Sequence, residues 1–148
     1  LISFEQKIDA KRLDVEFECD KDNMMVNADR DAIYQVLYNI CDNALKFSYE
    51  KGKLSMSLTY NKDKKVEVSV YNEGAGIPRE DLPYIFERFF KSDKSRGLDK
   101  TGVGLGMFIT KTIMDAHSES IVVDSEAGKW CRFCFTLKPS DGDFKNKN

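Results

Sequence analysis

Gly102-Val103-Gly104-Leu105-Gly106 stands directly ahead of an apolar-periodic segment, and a polar stripe of Asn39, Asn43 and Lys46 lies about sixty residues upstream. Closely spaced glycines at a helix start leave backbone N–H groups uncovered, and these groups together with the helix dipole suit a phosphate. The amide oxygens of Asn39 and Asn43 are hard, neutral ligands of the kind Mg²⁺ takes, with phosphate oxygens and waters completing the octahedron. Lys46, one turn beyond Asn43, can reach phosphate charge. Each element has a plainer use, the glycines as a hinge and the stripe as a solvated helix face. Together they point to a nucleotide site assembled from two distant segments. Gly74 and Gly76 allow a backbone path closed to residues with a Cβ. Asn72 precedes them where a strand should end and an acceptor could face a pocket, although a surface turn explains Gly-x-Gly equally well.

These residues need elements to hold them. Residues 1–11 have the pattern of a short helix, and Leu13 to Glu18 alternates like a half-buried strand. Met24-Met25-Val26 reads as an edge strand. Asp29 is a good N-cap for a helix reaching about Phe47, with Ile33, Val36, Leu37, Ile40, Ala44 and Phe47 as its core stripe. Asn39, Asn43 and Lys46 fall together on another side, since offsets of four and seven return to one face. Lys53 to Tyr60 and Lys65 to Tyr71 alternate around a hairpin connection at residues 61–64. Asp81 to Phe90 has room for a helical turn, and Lys91 to Thr101, polar and nearly devoid of core residues, reads as a mobile cover. Leu105, Phe108, Ile109, Ile113 and Met114 are available for packing on the next helix. Ile121 to Val123 and Arg132 to Leu137 supply two more strands around a turn at residues 127–129. This order predicts an α+β fold, a two-layer sandwich with a mixed, largely antiparallel sheet covered by helices on one face. The glycine run follows a charged loop rather than a strand, so it is not a dinucleotide fingerprint.

A chain of 148 residues with 41% hydrophobic content suits one core. We place the domain at residues 1–139, with 140–148 a polar, disordered tail. The balance of 23 basic against 25 acidic residues, a formal net charge of -2, gives no reason to expect a nucleic-acid partner. No segment is long and apolar enough to span a bilayer, so no membrane contact is expected of this domain. Leu1 is not an initiator methionine, which reads as a processed chain or an excised fragment. Of the four cysteines, Cys131 and Cys134 have CxxC spacing, but in a strand they point to opposite faces, and no second pair exists. Free thiols in a reducing compartment fit better than a zinc site.

The motifs resemble those of the ATP-binding catalytic domain of sensor histidine kinases, in the superfamily that includes gyrase-type and Hsp90-type ATPases. Residues 39–48 (NICDNALKFS) resemble the N box, residues 72–78 (NEGAGIP) the first glycine box, residues 86–91 (FERFFK) the F box and residues 101–106 (TGVGLG) the second glycine box. Ser125-Glu126-Ala127-Gly128 resembles the last family turn. The resemblance covers nearly the whole chain and implies the Bergerat-type ATP-binding fold, with ATP and Mg²⁺ as cofactors. It implies that Asn43, assisted by Asn39, binds Mg²⁺, that Lys46 contacts phosphate and that Phe47 lies beside the nucleotide. It further implies that Ile77 lines the adenine pocket, that Asn72, Gly74 and Gly76 border it, and that Thr101, Gly102, Val103, Gly104, Leu105 and Gly106 wrap the phosphates. Lys91 and Arg96 match basic lid positions that approach phosphates or assist transfer. Gyrase-type relatives usually carry a general-base Glu where this chain has Asn39; a neutral amide cannot activate water, which points to phosphoryl transfer rather than hydrolysis.

The implied partners are the dimerisation and histidine-phosphotransfer domain of the same parent protein and a cognate response regulator, with a cytoplasmic location whether or not the parent is membrane-anchored. His117 resembles a structural family residue rather than the phosphoacceptor, so little autophosphorylation is expected of this domain alone. Two alternatives are a degenerate nucleotide-binding interaction switch and an anti-sigma-type serine kinase. Gly128-Lys129-Trp130-Cys131 lacks the family's usual second glycine, and His117-Ser118-Glu119 the usual Gly after His. The main departure is Asn72, where most relatives have Asp; its amide oxygen accepts without charge assistance, and charge-assisted bonds are about twice as strong. Asn72→Asp should therefore lower the dissociation constant for ATP measured by titration calorimetry with Mg²⁺, and an unchanged constant would refute this.

Overall fold

The chain runs α1 (Ile2–Lys11), β1 (Asp14–Cys19), α2 (Arg30–Phe47), β2 (Lys53–Tyr60), β3 (Val66–Glu73), a single 3-10 turn at Leu82–Tyr84, α3 (Gly106–Ala116), β4 (Ile121–Glu126) and β5 (Trp130–Leu137). These elements come from a computed structural model that describes residues 2–90 and 105–140. Among the described residues the strands form one sheet in the order β1-β2-β3-β5-β4, parallel between β1 and β2 and antiparallel elsewhere. Helices cover one face, so the fold is the expected α+β sandwich with a mixed sheet, consistent with the Bergerat ATP-binding fold.

The strand period of two decides which side chains meet the helices. Val66, Val68, Val70 and Asn72 of β3 and Cys131, Phe133, Phe135 and Leu137 of β5 point inward, and all are buried. Register sets Met56 and Leu58 of β2 opposite Val70 and Val68, Leu54 opposite Asn72, and Ile121 and Val123 of β4 opposite the β5 phenylalanines. From the helical layer Ile33, Val36, Ile40 and Ala44 of α2 and Met114 of α3 close this core. The outer face is more polar, and there the Arg132 guanidinium lies over the Tyr71 ring at 5.2 Å and the Trp130 ring at 5.8 Å.

Helix α2 begins where the sequence places it. The Asp29 side chain accepts a hydrogen bond from Ala32 N at 3.1 Å, satisfying a first-turn N–H that lacks an intrahelical partner. Its far end is closed by a residue from another element. Lys11 Nζ donates to the carbonyls of Leu45 (2.5 Å), Lys46 (3.0 Å) and Ser48 (3.1 Å). A cation there satisfies orphan acceptors and matches the negative end of the helix dipole. Burial, and secondarily the charge of Lys7, lower the pKa of this ammonium.

Four expectations need correction. Strand β1 alternates as read, with Val15 and Phe17 in register with Leu54 and Met56, but all six residues are exposed because the helical layer does not reach across this edge. Phe4 of α1 packs on Tyr38 of α2 at 5.1 Å, and between these helices and β1–β2 remains an apolar cavity of about 480 Å³ that none of the predicted site residues lines. Residues 24–26 form no strand; Val26 makes one isolated bridge, to Pro139. On α3 the inward residues are Thr110 and Met114, while Ile109 is exposed. On α2, Leu45 is buried and Phe47 only half-buried.

Ile40 is fully enclosed. Ile40→Ala should cost about 2–5 kcal/mol in urea unfolding, whereas Ile109→Ala should cost no more than about 0.5 kcal/mol.

Candidate functional site

Helix α2 presents Asn39, Asn43, Lys46 and Phe47 along about 12 Å of its length at 1.5 Å per residue. Burial of Val36, Ile40 and Ala44 against the sheet fixes the helix's rotation, leaving Asn39 and Asn43 half-buried at the margin of the helical layer. Asn39 Nδ2 donates to the Gly106 carbonyl at 3.1 Å and to Thr110 Oγ1 at 3.3 Å, while its Oδ1 accepts from Gln35 Nε2 at 2.9 Å. The amide-bearing helix and the end of the glycine run are therefore in direct contact. Asn43 lies one turn further on. Lys46 pairs with Asp42 at 3.1 Å, and Asp42 also meets Lys7 at 3.2 Å.

At the C-terminal end of α2 the backbone after β3 folds tightly against the helix. Ala75 N donates to the Phe47 carbonyl at 3.0 Å, and Gly74 N donates to Lys129 O at 3.0 Å. A Cβ on Gly74 would sit 1.9 Å from Phe47 O, and one on Gly76, whose φ is +63°, would sit 2.4 Å from Glu126 O. Neither position tolerates a larger residue without moving backbone. Ile77 N donates to Ser125 Oγ at 2.8 Å, and that hydroxyl donates to Trp130 O at 2.6 Å. The loop is thus pinned between α2 and the β4–β5 turn.

Asn72 lies on β3 just ahead of this loop and is 3% exposed. Its Nδ2 finds no hydrogen-bond partner among the described residues, and it lies 2.9 Å from where a Gly74 Cβ would be. A buried donor left unpaired costs about 1–3 kcal/mol. Opposite Asn72 in register is Cys131, whose thiol pKa burial pushes up to about 12; burial raises that of Cys41 to about 11.

The structure thus brings Asn39 to Gly106 and gathers Asn72, Gly74, Gly76 and Ile77 at the C-terminal end of α2, where Phe47 stands. Leu105 flanks the start of α3, which has no side-chain cap on its first N–H groups. Lys91, Arg96, Thr101, Gly102, Val103 and Gly104 lie outside the described residues. Of the F-box segment, Phe86 meets Phe133 edge-on at 6.3 Å, and Arg88 stacks on Phe108 of α3 at 4.6 Å. Sequence reasoning missed Thr110, Ser125 as a backbone anchor, and Lys11. Thr110 could have been found from its position one turn after Gly106, where a threonine hydroxyl bonds the i−4 carbonyl (2.9 Å here). His117 accepts from Asp29 N at Nε2 (3.1 Å) and meets the Ile113 carbonyl through Nδ1 (2.9 Å), so it ties the end of α3 to the start of α2.

The sequence profile of the histidine kinase-, DNA gyrase B- and HSP90-like ATPases matches residues 28–141. The chain belongs to this family. Sensor histidine kinase WalK of Bacillus subtilis (strain 168) is 42% identical over 116 residues, 78% of this chain but 19% of WalK. The catalytic domain of histidine kinase ThkA, in a nucleotide-free form, superposes with a TM-score of 0.78 at 34% identity, covering 93% of this chain and 87% of that one. The crystal structure of ThkA in complex with response regulator TrrA gives a TM-score of 0.72 at 34% identity, with 93% of this chain covered and 37% of that one. Within its family the chain is the ATP-binding catalytic domain of a sensor histidine kinase, and it spans about a fifth of WalK.

The residues of this kinase domain fit the nucleotide the family implies. The cradle at Gly74 and Gly76 is closed to a Cβ, and Asn72 offers a buried polar group seeking a partner. No three of His, Cys, Asp and Glu converge on a metal position among the described residues; the residues that would hold the cation the family implies are the amides of Asn39 and Asn43. Two neutral amides do not fill a Mg²⁺ shell, and the remaining oxygens must come from phosphates and water.

A thiol probe reads this packing. At about pH 8 exposed Cys19 should react with an aromatic disulfide within seconds, whereas Cys131, its thiolate scarce until the pH nears 12, should react far more slowly and gain rate as pH rises. Gly74→Ala should accelerate Cys131 labelling by forcing the loop off Phe47, which mass spectrometry of timed aliquots would register.

Proposed function

We propose that this domain binds Mg-ATP between α2, the Gly74–Ile77 loop and the start of α3, and presents the γ-phosphoryl group to a histidine on a dimerisation domain of its parent protein. Mg-ATP supplies the transferable group and the cation that spreads its charge. The contact of Asn39 with Gly106 carries this reading, because it joins the amide stripe to the glycine-rich segment from which phosphate-binding N–H groups would come. Ile77 and Phe47 would flank the base, Asn43 would contribute to the metal shell, and Lys46 would turn from Asp42 toward phosphate. Lys91 and Arg96 of the lid would neutralise transferred charge, with positioning and electrostatics doing the catalysis.

Asn39 supports transfer over hydrolysis on two counts. An amide has no basic pair to take a proton from water, and both its ends are already hydrogen-bonded. His117 is a poor phosphoacceptor, since its Nε2 already accepts from Asp29 N. The acceptor histidine would therefore come from the dimerisation domain, and a response regulator would take the phosphoryl group onward, as the complex of ThkA with TrrA suggests by similarity. A nucleotide-binding switch without transfer is the second reading, favoured by Asn72 in place of a carboxylate.

Calorimetry should show ATP binding that tightens with Mg²⁺, and Asn43→Ala should weaken the Mg²⁺-dependent part by at least about tenfold, or about 1.4 kcal/mol. With a matching dimerisation domain added, label from γ-phosphate-labelled ATP should appear on it as acid-labile phosphohistidine. Binding without transfer would favour the switch, and acid-stable label on serine would favour a serine kinase.

A further inference from the structure

The polar groups around Asn72 are spent on the protein itself. Gly74 N is taken by Lys129 O, Ala75 N by Phe47 O and Ile77 N by Ser125 Oγ. Ser125 Oγ in turn donates to Trp130 O. Ile77 offers only hydrocarbon. Among the described residues here Asn72 offers a polar side chain able to read a base, and its buried Nδ2 lacks an acceptor. A carboxylate in this place could only accept, and so would select a base with an exocyclic amine. An amide carries a donor and an acceptor, and a half-turn about its last torsion exchanges them. With Oδ1 turned toward the base it would meet a 6-amino group; with Nδ2 turned toward it, it would meet a 6-carbonyl oxygen.

Resting on the nucleotide site proposed above, we infer that this domain accepts 6-oxopurine nucleoside triphosphates as well as 6-aminopurine ones, and that Asn72 sets this tolerance. In the second orientation the amide donor, which has no partner among the described residues, is paired by the oxo base. Discrimination by polar groups is strong where a mismatch strands a buried donor or acceptor. The amide can present to either base the group that base needs.

ATP and ITP, which differ at the 6-position of the base, test this without the 2-amino group of guanine. Titration calorimetry with Mg²⁺ should give dissociation constants within tenfold of each other for the unsubstituted chain. Asn72→Asp should widen the ITP-to-ATP ratio by more than tenfold, by tightening ATP and weakening ITP. ATP binding with ITP more than tenfold weaker overturns the inference and leaves the nucleotide site standing. An unwidened ratio in a folded Asn72→Asp variant overturns the role of Asn72. If neither nucleotide binds, the site reading fails and the inference with it. The unsubstituted chain decides the question of tolerance even where Asn72→Asp fails to fold.

Discussion

The carbonyl of Phe47 accepts from Ala75 N while Gly74 presses so close that a methyl group there would lie 1.9 Å from the same oxygen. This contact makes the end of α2 and the loop after β3 one rigid unit. It works only because the neighbouring carbonyls of the helix end are satisfied elsewhere, by the ammonium of Lys11 reaching across from α1. Were those acceptors unpaired, they would compete for the same N–H donors or draw in water. The part of the candidate site around Gly74 and Ile77 thus depends on a short helix, α1, that contributes none of the proposed site residues.

The middle of α2 is held differently. There a side-chain amide bridges to the Gly106 carbonyl and to a fully buried hydroxyl, Thr110. Behind both contacts stands the same row of apolar residues, Val36, Ile40 and Ala44, packed on the valines of β3 and the phenylalanines of β5. Close packing resists rotation of the helix, since turning it would open voids and expose hydrocarbon together. The core therefore does more than stabilise. It sets the angle at which Asn39, Asn43 and Lys46 leave the surface.

Most of the fold was legible because its signals are local. Asp29 as an N-cap, the period-two alternation of β2, β3 and β5, and the polar hairpin at residues 61–64 each need only near neighbours, and each lies where read. Asn39 and Asn43 stand out in the sequence because they share one helix face, and the glycine segments because of their spacing. What escaped depends on partners far away in sequence. The exposure of Val15 and Phe17 follows from how far the helices extend over the sheet, which alternation does not encode. Lys11 looks like any surface lysine until α2 ends beside it, and Ser125 looks like a turn residue until Ile77 donates to it. Ile109 had the right hydrophobicity, but the rotation of α3 turned Thr110 inward, because its hydroxyl could serve Gly106 and Asn39 at once.

Among the described residues both open margins of the sheet are acidic. Strand β1 carries Asp14, Glu16 and Glu18 on one side, and β4 carries Asp124 and Glu126 on the other. An unpaired edge is a template for strand addition, and charge along it is a common defence. Two copies approaching margin to margin would bring carboxylates together before any ladder could form. That repulsion works against edge-to-edge pairing of the strand that carries exposed Val15 and Phe17.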